Sequence, residues 1–269
     1  MVRRFLKGGA QVTVWNRTAA KAHALEADGA GVASAPAAAV AGADRVHIVV
    51  QDDAAVDGLL DQIAPALKKG AIVIDHSTTL PETTAARFER TRAQGIRFLH
   101  APVFMSPQMA ADGMGLILVS GPARDVEEVR ADLKGMTGEV WHVGERPDLA
   151  AAYKLFGNCM LFAISAGLAD VIAMARANAI DPIEGLGVFS KFLAGNVIAA
   201  RGPRMARGEV APASFAVAMA RKDAGLMMTA AKGQPLVALP SVAKRMDEVI
   251  AAGGGGLDLA ALGVRIEQV

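Results

Sequence analysis

The sequence predicts an α/β protein in which a Rossmann-like, doubly wound parallel sheet is followed by an all-α C-terminal domain. Three observations predict it. Short apolar runs alternate with alanine-rich helical segments through the first half, which is the pattern of βα units. After Trp141–Gly144 that alternation stops, and long alanine- and methionine-rich stretches read as five or six helices. A chain of 269 residues with 52% hydrophobic and 20% charged residues also has enough apolar side chains for a sizeable core.

Taken in order, Met1–Gly9 reads as an amphipathic helix closed by glycine, with Val2, Phe5 and Leu6 on one face and Arg3, Arg4 and Lys7 on the other. Strands are expected at Gln11–Trp15, Arg45–Val50, Ala71–Asp75, Arg97–His100 and Gly115–Ser120. Between them helices are expected at Ala19–Asp28, Asp53–Leu60, Pro81–Gln94 and Ala123–Met136. The helical half should break at Asp181–Pro182, Gly202–Pro203, Pro212 and Gly253–Gly256. The domain boundary is placed between residues 145 and 146.

Charge and composition exclude several functions. Twenty-eight basic and 27 acidic residues are spread along the chain for a net +1, so neither nucleic acid nor a membrane surface is an expected partner. The apolar stretch Met160–Ala179 is interrupted by Ser165, Asp170, Arg176 and Asn178, which reads as a buried helix of a soluble protein rather than a membrane span. No secretory signal is visible, and a cytoplasmic protein is expected. The single cysteine, Cys159, lies in an apolar run and reads as a buried thiol. No metal site is expected.

The start of the chain is informative. In a Rossmann unit a first strand and a G-x-G-x-x-G loop precede the first helix, and the end of the next strand reads the adenosine ribose. Here the chain begins inside that unit, and roughly fifteen residues carrying the strand and glycine loop have no counterpart. The expectation is that Met1 is an internal methionine, that an in-frame strand and glycine loop lie upstream, and that the 269-residue form binds NADP poorly. After Gln11–Trp15 come Asn16, Arg17 and Thr18. They offer an amide, a guanidinium and a hydroxyl instead of the carboxylate usual for NAD, so NADP is preferred, with NAD possible. Thr18 could equally cap the following helix.

Six landmarks then stand in order: V-T-V-W-N-R-T at Val12–Thr18, D-H-S-T at Asp75–Thr78, A-P-V at Ala101–Val103, K-L-F-G-N at Lys154–Asn158, S-F with K-D at Ser214–Phe215 and Lys222–Asp223, and G-L-D at Gly256–Asp258. With these the chain resembles the β-hydroxyacid dehydrogenases, which include 3-hydroxyisobutyrate dehydrogenase, within the wider 6-phosphogluconate dehydrogenase superfamily. The resemblance implies hydride transfer between NADP(H) and a β-hydroxy acid or its semialdehyde or keto acid, with Lys154 as catalytic residue. It implies that Asn158 binds substrate, that Thr78 and Lys222 lie against the cofactor with Asn16, Arg17 and Thr18, and that Phe215 and Asp223 line the pocket. It further implies a homodimer or higher homo-oligomer.

Residue chemistry bears on each role. A helical lysine is most often a solvated snorkelling residue, but Lys154 stands among Tyr153, Leu155, Phe156, Cys159, Met160 and Leu161. Asn158 follows one turn later on the same face, although a buried asparagine also serves as a helix-to-helix hydrogen bond. Thr78 could instead cap the helix that opens at Pro81. Where the family loop reads A-P-V-S-G-G, this chain has Phe104, Met105 and Ser106, which removes small donors for a carboxylate and favours a larger or more apolar substrate. His100 replaces a common aspartate and reads as a strand-end histidine in a satisfied hydrogen bond. Imine reduction on the same scaffold is an alternative, although that branch usually carries Asp or Tyr at the Lys154 position. No cluster of lysines and arginines for a substrate phosphate is visible. A non-catalytic, truncated paralogue acting as a dimeric binding protein is the remaining alternative.

Overall fold

The computed structural model describes residues Met1–Gln268, which divide into two compact units, one of Met1–Asn158 and one that starts at Cys159. The first unit carries every strand found among the described residues. In chain order it contains α1 (Val2–Lys7), β1 (Thr13–Val14), α2 (Ala19–His23), β2 (Gly31–Val32), α3 (Pro36–Val40), β3 (Arg45–Ile48), α4 (Asp53–Ile63) and β4 (Ile72–Asp75). It continues with α5 (Pro81–Ala93), β5 (Arg97–His100), β6 (Val103–Phe104), α6 (Pro107–Asp112), β7 (Leu116–Ser120), α7 (Ala123–Met136) and β8 (Glu139–Gly144).

β3, β4 and β5 pair in parallel, and β5 and β6 both run antiparallel to β7, which pairs in parallel with β8. β1 and β2 form a separate parallel pair, so β3 is hydrogen-bonded to a strand on its β4 side only among the described residues. β4 is buried on both faces, as the central strand of a covered parallel sheet must be. Its Ile72 and Ile74 join Leu99, Ile117, Val119 and the α7 residues Val126, Val129 and Leu133 in one core. Its Val73 joins Val46, Ile48, Phe98 and the α4 residues Val56, Leu60 and Ile63 in the other. Phe5 and Met1 of the first segment pack against the α7-side core, which explains the amphipathic face of α1.

The helical unit begins within α8 (Leu149–Ala177) and continues through α9 (Pro182–Leu186), α10 (Asn196–Arg207), α11 (Val217–Ala230) and α12 (Leu239–Ala251). Its core is small-residue packing of Val217, Ala220 and Ala224 against Ala243, Met246 and Val249. Two buried carboxylates tie it together. Asp170 on α8 accepts from the backbone N–H groups of Val237, Ala238 and Leu239, which are the otherwise unpaired donors at the start of α12. Asp258 does the same for the segment around Ser214.

Several expectations are corrected. The strand Gln11–Trp15 is reduced to Thr13–Val14, and the helix Ala19–Asp28 ends at His23 before a short 3-10 turn, Glu26–Asp28, that stops at the left-handed Gly29. β2, α3, β6 and α6 were not anticipated; α6 is opened by Ser106, whose hydroxyl accepts from the N–H of Met109, and by Pro107. The expected break at Gly202–Pro203 does not occur: α10 runs through it. Arg201 and Arg204 anchor that helix to Asp258 and to the carbonyl of Pro212, which offsets the hydrogen bond that Pro203 cannot donate. α8 is not a buried helix within its own chain. It is long and apolar enough to cross a membrane, yet few of its residues are covered, and Phe156 and Phe162 are 66% and 68% exposed. Cys159 is likewise exposed rather than buried.

Candidate active site

The D-H-S-T segment sits at the C-terminal end of β4, where open parallel sheets bind ligands. Three of its residues build the site rather than face it. Asp75 is fully buried, and its Oδ1 accepts from the N–H of Ser77 at 2.9 Å. His76 Nδ1 donates to the carbonyl of Ala101 at 2.6 Å, tying β4 to the end of β5, and its Nε2 accepts from His47 Nδ1 at 2.9 Å. Ser77 Oγ accepts from the N–H of Val50, tying β4 to the end of β3. Burial holds both imidazoles neutral, lowering His47 to about 3 and His76 to about 4. Thr78 alone of the motif is exposed, and it does not cap α5, whose N-cap position is Leu80. Its hydroxyl is therefore available at the strand ends.

His100 differs from expectation. Its Nδ1 lies 3.4 Å from Asp75 Oδ2 and its Nε2 lies 3.5 Å from Thr79 Oγ1. These are long contacts, and neither His100 Nδ1 nor Asp75 Oδ2 makes a hydrogen bond of good geometry. It is a buried charge-adjacent histidine rather than a satisfied one.

Lys154 lies in the first turns of α8 and is half-buried. Its Nζ sits 4.0 Å from the centroid of the Phe104 ring, and burial pushes its ammonium below the usual lysine range. Beside it runs an apolar groove of about 190 Å³ lined by Phe104, Leu116, Leu118, Trp141, Tyr153 and Phe156. Two glycines seat Phe104. A methyl on Gly157 would fall 2.3 Å from Phe104 Cζ, and Gly115, at φ +117, lies where a Cβ would meet the Phe104 carbonyl at 2.9 Å. The sequence signal for this seat is a glycine inside a helix, where it weakens the helix unless something packs on it. Asn158 is half-buried at the end of the first unit. Of the other loop residues, Met105 packs on the α7-side core and Ser106 caps α6, so Phe104 is the one that meets Lys154.

In the segment expected to read the adenosine ribose, Asn16 Oδ1 accepts from the N–H of Thr18 at 2.9 Å and closes a small turn. Thr18 occupies the N-cap position of α2 but makes no side-chain cap. The Arg17 and Thr18 side chains are exposed, an arrangement that fits a phosphate-bearing ribose. A glycine loop for the pyrophosphate is not found among the described residues, so the fit is to the ends of the cofactor.

In the helical unit Lys222 and Asp223 pair with each other at 3.0 Å on α11. The Phe215 N–H donates to Asp258, and its ring is partly exposed. The G-L-D aspartate is structural: Asp258 Oδ2 accepts from the N–H and Oγ of Ser214, and Oδ1 from the N–H of Ala260 and from Arg201. Burial alone would raise its carboxyl, but these hydrogen bonds win and hold it far below the usual carboxylate range. The fold also gathers Lys191, Arg201 and Arg204 around a cavity of about 470 Å³: Arg201 and Arg204 stand one turn apart on α10, and Lys191 joins them from the end of the 3-10 turn Gly187–Ser190.

The signature of the NAD binding domain of 6-phosphogluconate dehydrogenase matches residues 1–144. The uncharacterized oxidoreductase YfjR of Bacillus subtilis is 30% identical over 273 aligned positions, covering 97% of this chain and 93% of its own length. The NADH-dependent oxidoreductase ucdB of Aspergillus ustus is 31% identical over 63% of this chain and 58% of its own. An imine reductase from Myxococcus stipitatus, solved with NADP+, superposes with a TM-score of 0.87 at 23% identity, covering 97% of this chain and 93% of that one. That likeness establishes the fold. With the cofactor-domain signature over more than half of the chain and a full-length oxidoreductase relative, the chain belongs to the nicotinamide-dependent dehydrogenases and reductases built on the 6-phosphogluconate dehydrogenase NAD binding domain.

Proposed function

We propose that the chain transfers a hydride between NADP(H) and a β-hydroxy acid or its semialdehyde or keto acid, with Lys154 as general acid and base. The observation that carries this reading is the setting of Lys154, a half-buried ammonium beside an aromatic groove on the helix that reads K-L-F-G-N. When bound, the nicotinamide supplies or accepts the hydride. In reduction the Lys154 ammonium donates a proton to the carbonyl oxygen. In oxidation its neutral amine takes the hydroxyl proton, a state that burial makes accessible. Asn158, one turn later on the same helix face, holds the substrate oxygen or carboxylate in line. Thr78 lies at the nicotinamide end, and Arg17 and Thr18 hold the 2′-phosphate. Lys222 toward the cofactor, and Phe215 and Asp223 in the pocket, remain proposals of the resemblance. The apolar groove supports a substrate with an apolar substituent.

The NADP+ complex of the imine reductase fits this cofactor preference, whereas the NADH-dependent relative represents the alternative. Imine reduction is a second reading, favoured by Phe104 standing where a carboxylate-binding serine is usual. The retained Lys154 counts against it.

The test is a panel of β-hydroxy acids, semialdehydes and imines run with NADPH and NADH. Lys154→Ala should lower turnover at least about a hundredfold with cofactor affinity nearly unchanged, and Arg17→Ala should erase most of the NADPH preference. Near-normal turnover without Lys154 contradicts the reading. The exposed apolar residues of α8 also support a homodimer. A monodisperse monomer in sedimentation at micromolar concentration would refute it.

A further inference from the structure

Phe104 occupies a position that a merely space-filling residue would not need. Its backbone is fixed by pairing with Leu116 across β6 and β7 and by the close approach of Gly115. Its ring tip rests on Gly157, where no other residue type leaves room, and its face lies under Lys154 Nζ at 4.0 Å. Lys154 makes no ion pair among the described residues, so no carboxylate holds its charge. The groove around it contributes Leu116, Leu118, Trp141, Tyr153 and Phe156, of which only Tyr153 is titratable. The remaining charged or titratable groups on the packed elements are otherwise engaged or exposed: His142 on β8 contacts the Gly121 carbonyl, Asp148 at the head of α8 pairs with Arg146, and Glu139 faces solvent.

Two opposing effects therefore act on the ammonium. Burial disfavours its charge, while the negative face of an aromatic ring attracts a cation, more strongly as water is excluded. We propose that Phe104 is a positioning residue for Lys154, holding the ε-ammonium over its ring face and keeping the site in the protonated state that reduction needs. The ring does this without neutralising the charge, so the proton stays transferable, as it would be less readily beside a carboxylate. This inference rests on the reading of Lys154 as the proton donor, but the physical clamp can be measured without any substrate.

The experiment is a pH titration of the full chain labelled with 13Cε-lysine, followed by NMR, with the Lys154 signal identified by its loss in Lys154→Met. Phe104→Leu keeps an apolar but shorter side chain and has no ring face. Its Lys154 midpoint should move to lower pH by about half a pH unit to one and a half. Phe104→Tyr, which keeps the face, should hold the wild-type midpoint. Gly157→Ala, whose methyl displaces the ring without altering it, should shift the midpoint in the same direction as Phe104→Leu. It serves as the deciding variant should Phe104→Leu not fold. An unmoved or raised midpoint in the folded variants overturns the clamp. Loss of turnover in Lys154→Met together with an unmoved midpoint in Phe104→Leu would sink the clamp and leave the function. Retained turnover in Lys154→Met would sink the function and leave the clamp to be judged on the titration.

Discussion

In the first unit the buried polar side chains tie strand ends to one another, His76 to Ala101 and Ser77 to Val50, and they do so as neutral groups. In the second unit the comparable work falls to two buried carboxyl groups, Asp170 and Asp258, each collecting several backbone N–H groups. The difference follows from what each unit has to bury. A sheet pairs its own backbone groups, so its polar side chains are free to set the geometry of strand ends. Helices leave unpaired donors at every N-terminus, and alanine-rich helices with little large apolar surface need strong acceptors there. Motif residues consequently divide into those engaged in holding the fold, Asp75, His76, Ser77 and Asp258, and those whose side chains are not so engaged, Thr78 and Lys154.

The largest effect expected from this contrast lies in the helical unit. Asp258→Ala removes the acceptor of four hydrogen-bonding N–H or O–H groups and leaves Arg201 beside an uncompensated site, so it should cost about 3–5 kcal/mol of stability in denaturant unfolding. A loss below about 1 kcal/mol would show that Asp258 is not the tie described.

Acid separates the two units more gently. His47 and His76 are held neutral at about 3 and about 4, below the ordinary 6.5 of an unfolded histidine. Below pH 6.5 the unfolded chain therefore binds more protons than the folded one, and the stability of the sheet unit falls as pH drops from 6.5 toward 4. Asp258, with its carboxyl lowered, keeps its contribution until pH falls below the ordinary carboxylate value of 3.8. Hydrogen exchange at pH 7 and pH 4.5 should show protection in β3 and β4 weakening before protection in α11 and α12. The reverse order contradicts the assignment.

Much of the fold was legible because local signals agreed with tertiary ones. The strand Arg97–His100 and the helix Ala123–Met136 fall where expected, the first as an apolar run and the second as an amphipathic helix whose Val126, Val129 and Leu133 all reach the core. The exposure of α8 was not legible, since an apolar helix reads the same whether its own chain or a second copy covers it. The passage of α10 through Pro203 depended on Arg201 and Arg204 finding Asp258 far along the chain. At the candidate site, Lys154 and Phe104 were each conspicuous in sequence. That the ring lies under the ammonium depended on Gly115 and Gly157 together, which no local pattern connects.

Whether Lys154 moves the proton is decided by the pH dependence of turnover in both directions. Reduction needs the ammonium and oxidation the free amine. Reduction should therefore fall and oxidation rise with increasing pH through one shared midpoint below the ordinary lysine value of 10.5, because burial lowers it. Both limbs should vanish in the residual activity of Lys154→Met. Limbs that persist at the same midpoint in that variant, or rates that ignore pH in both directions, would contradict it.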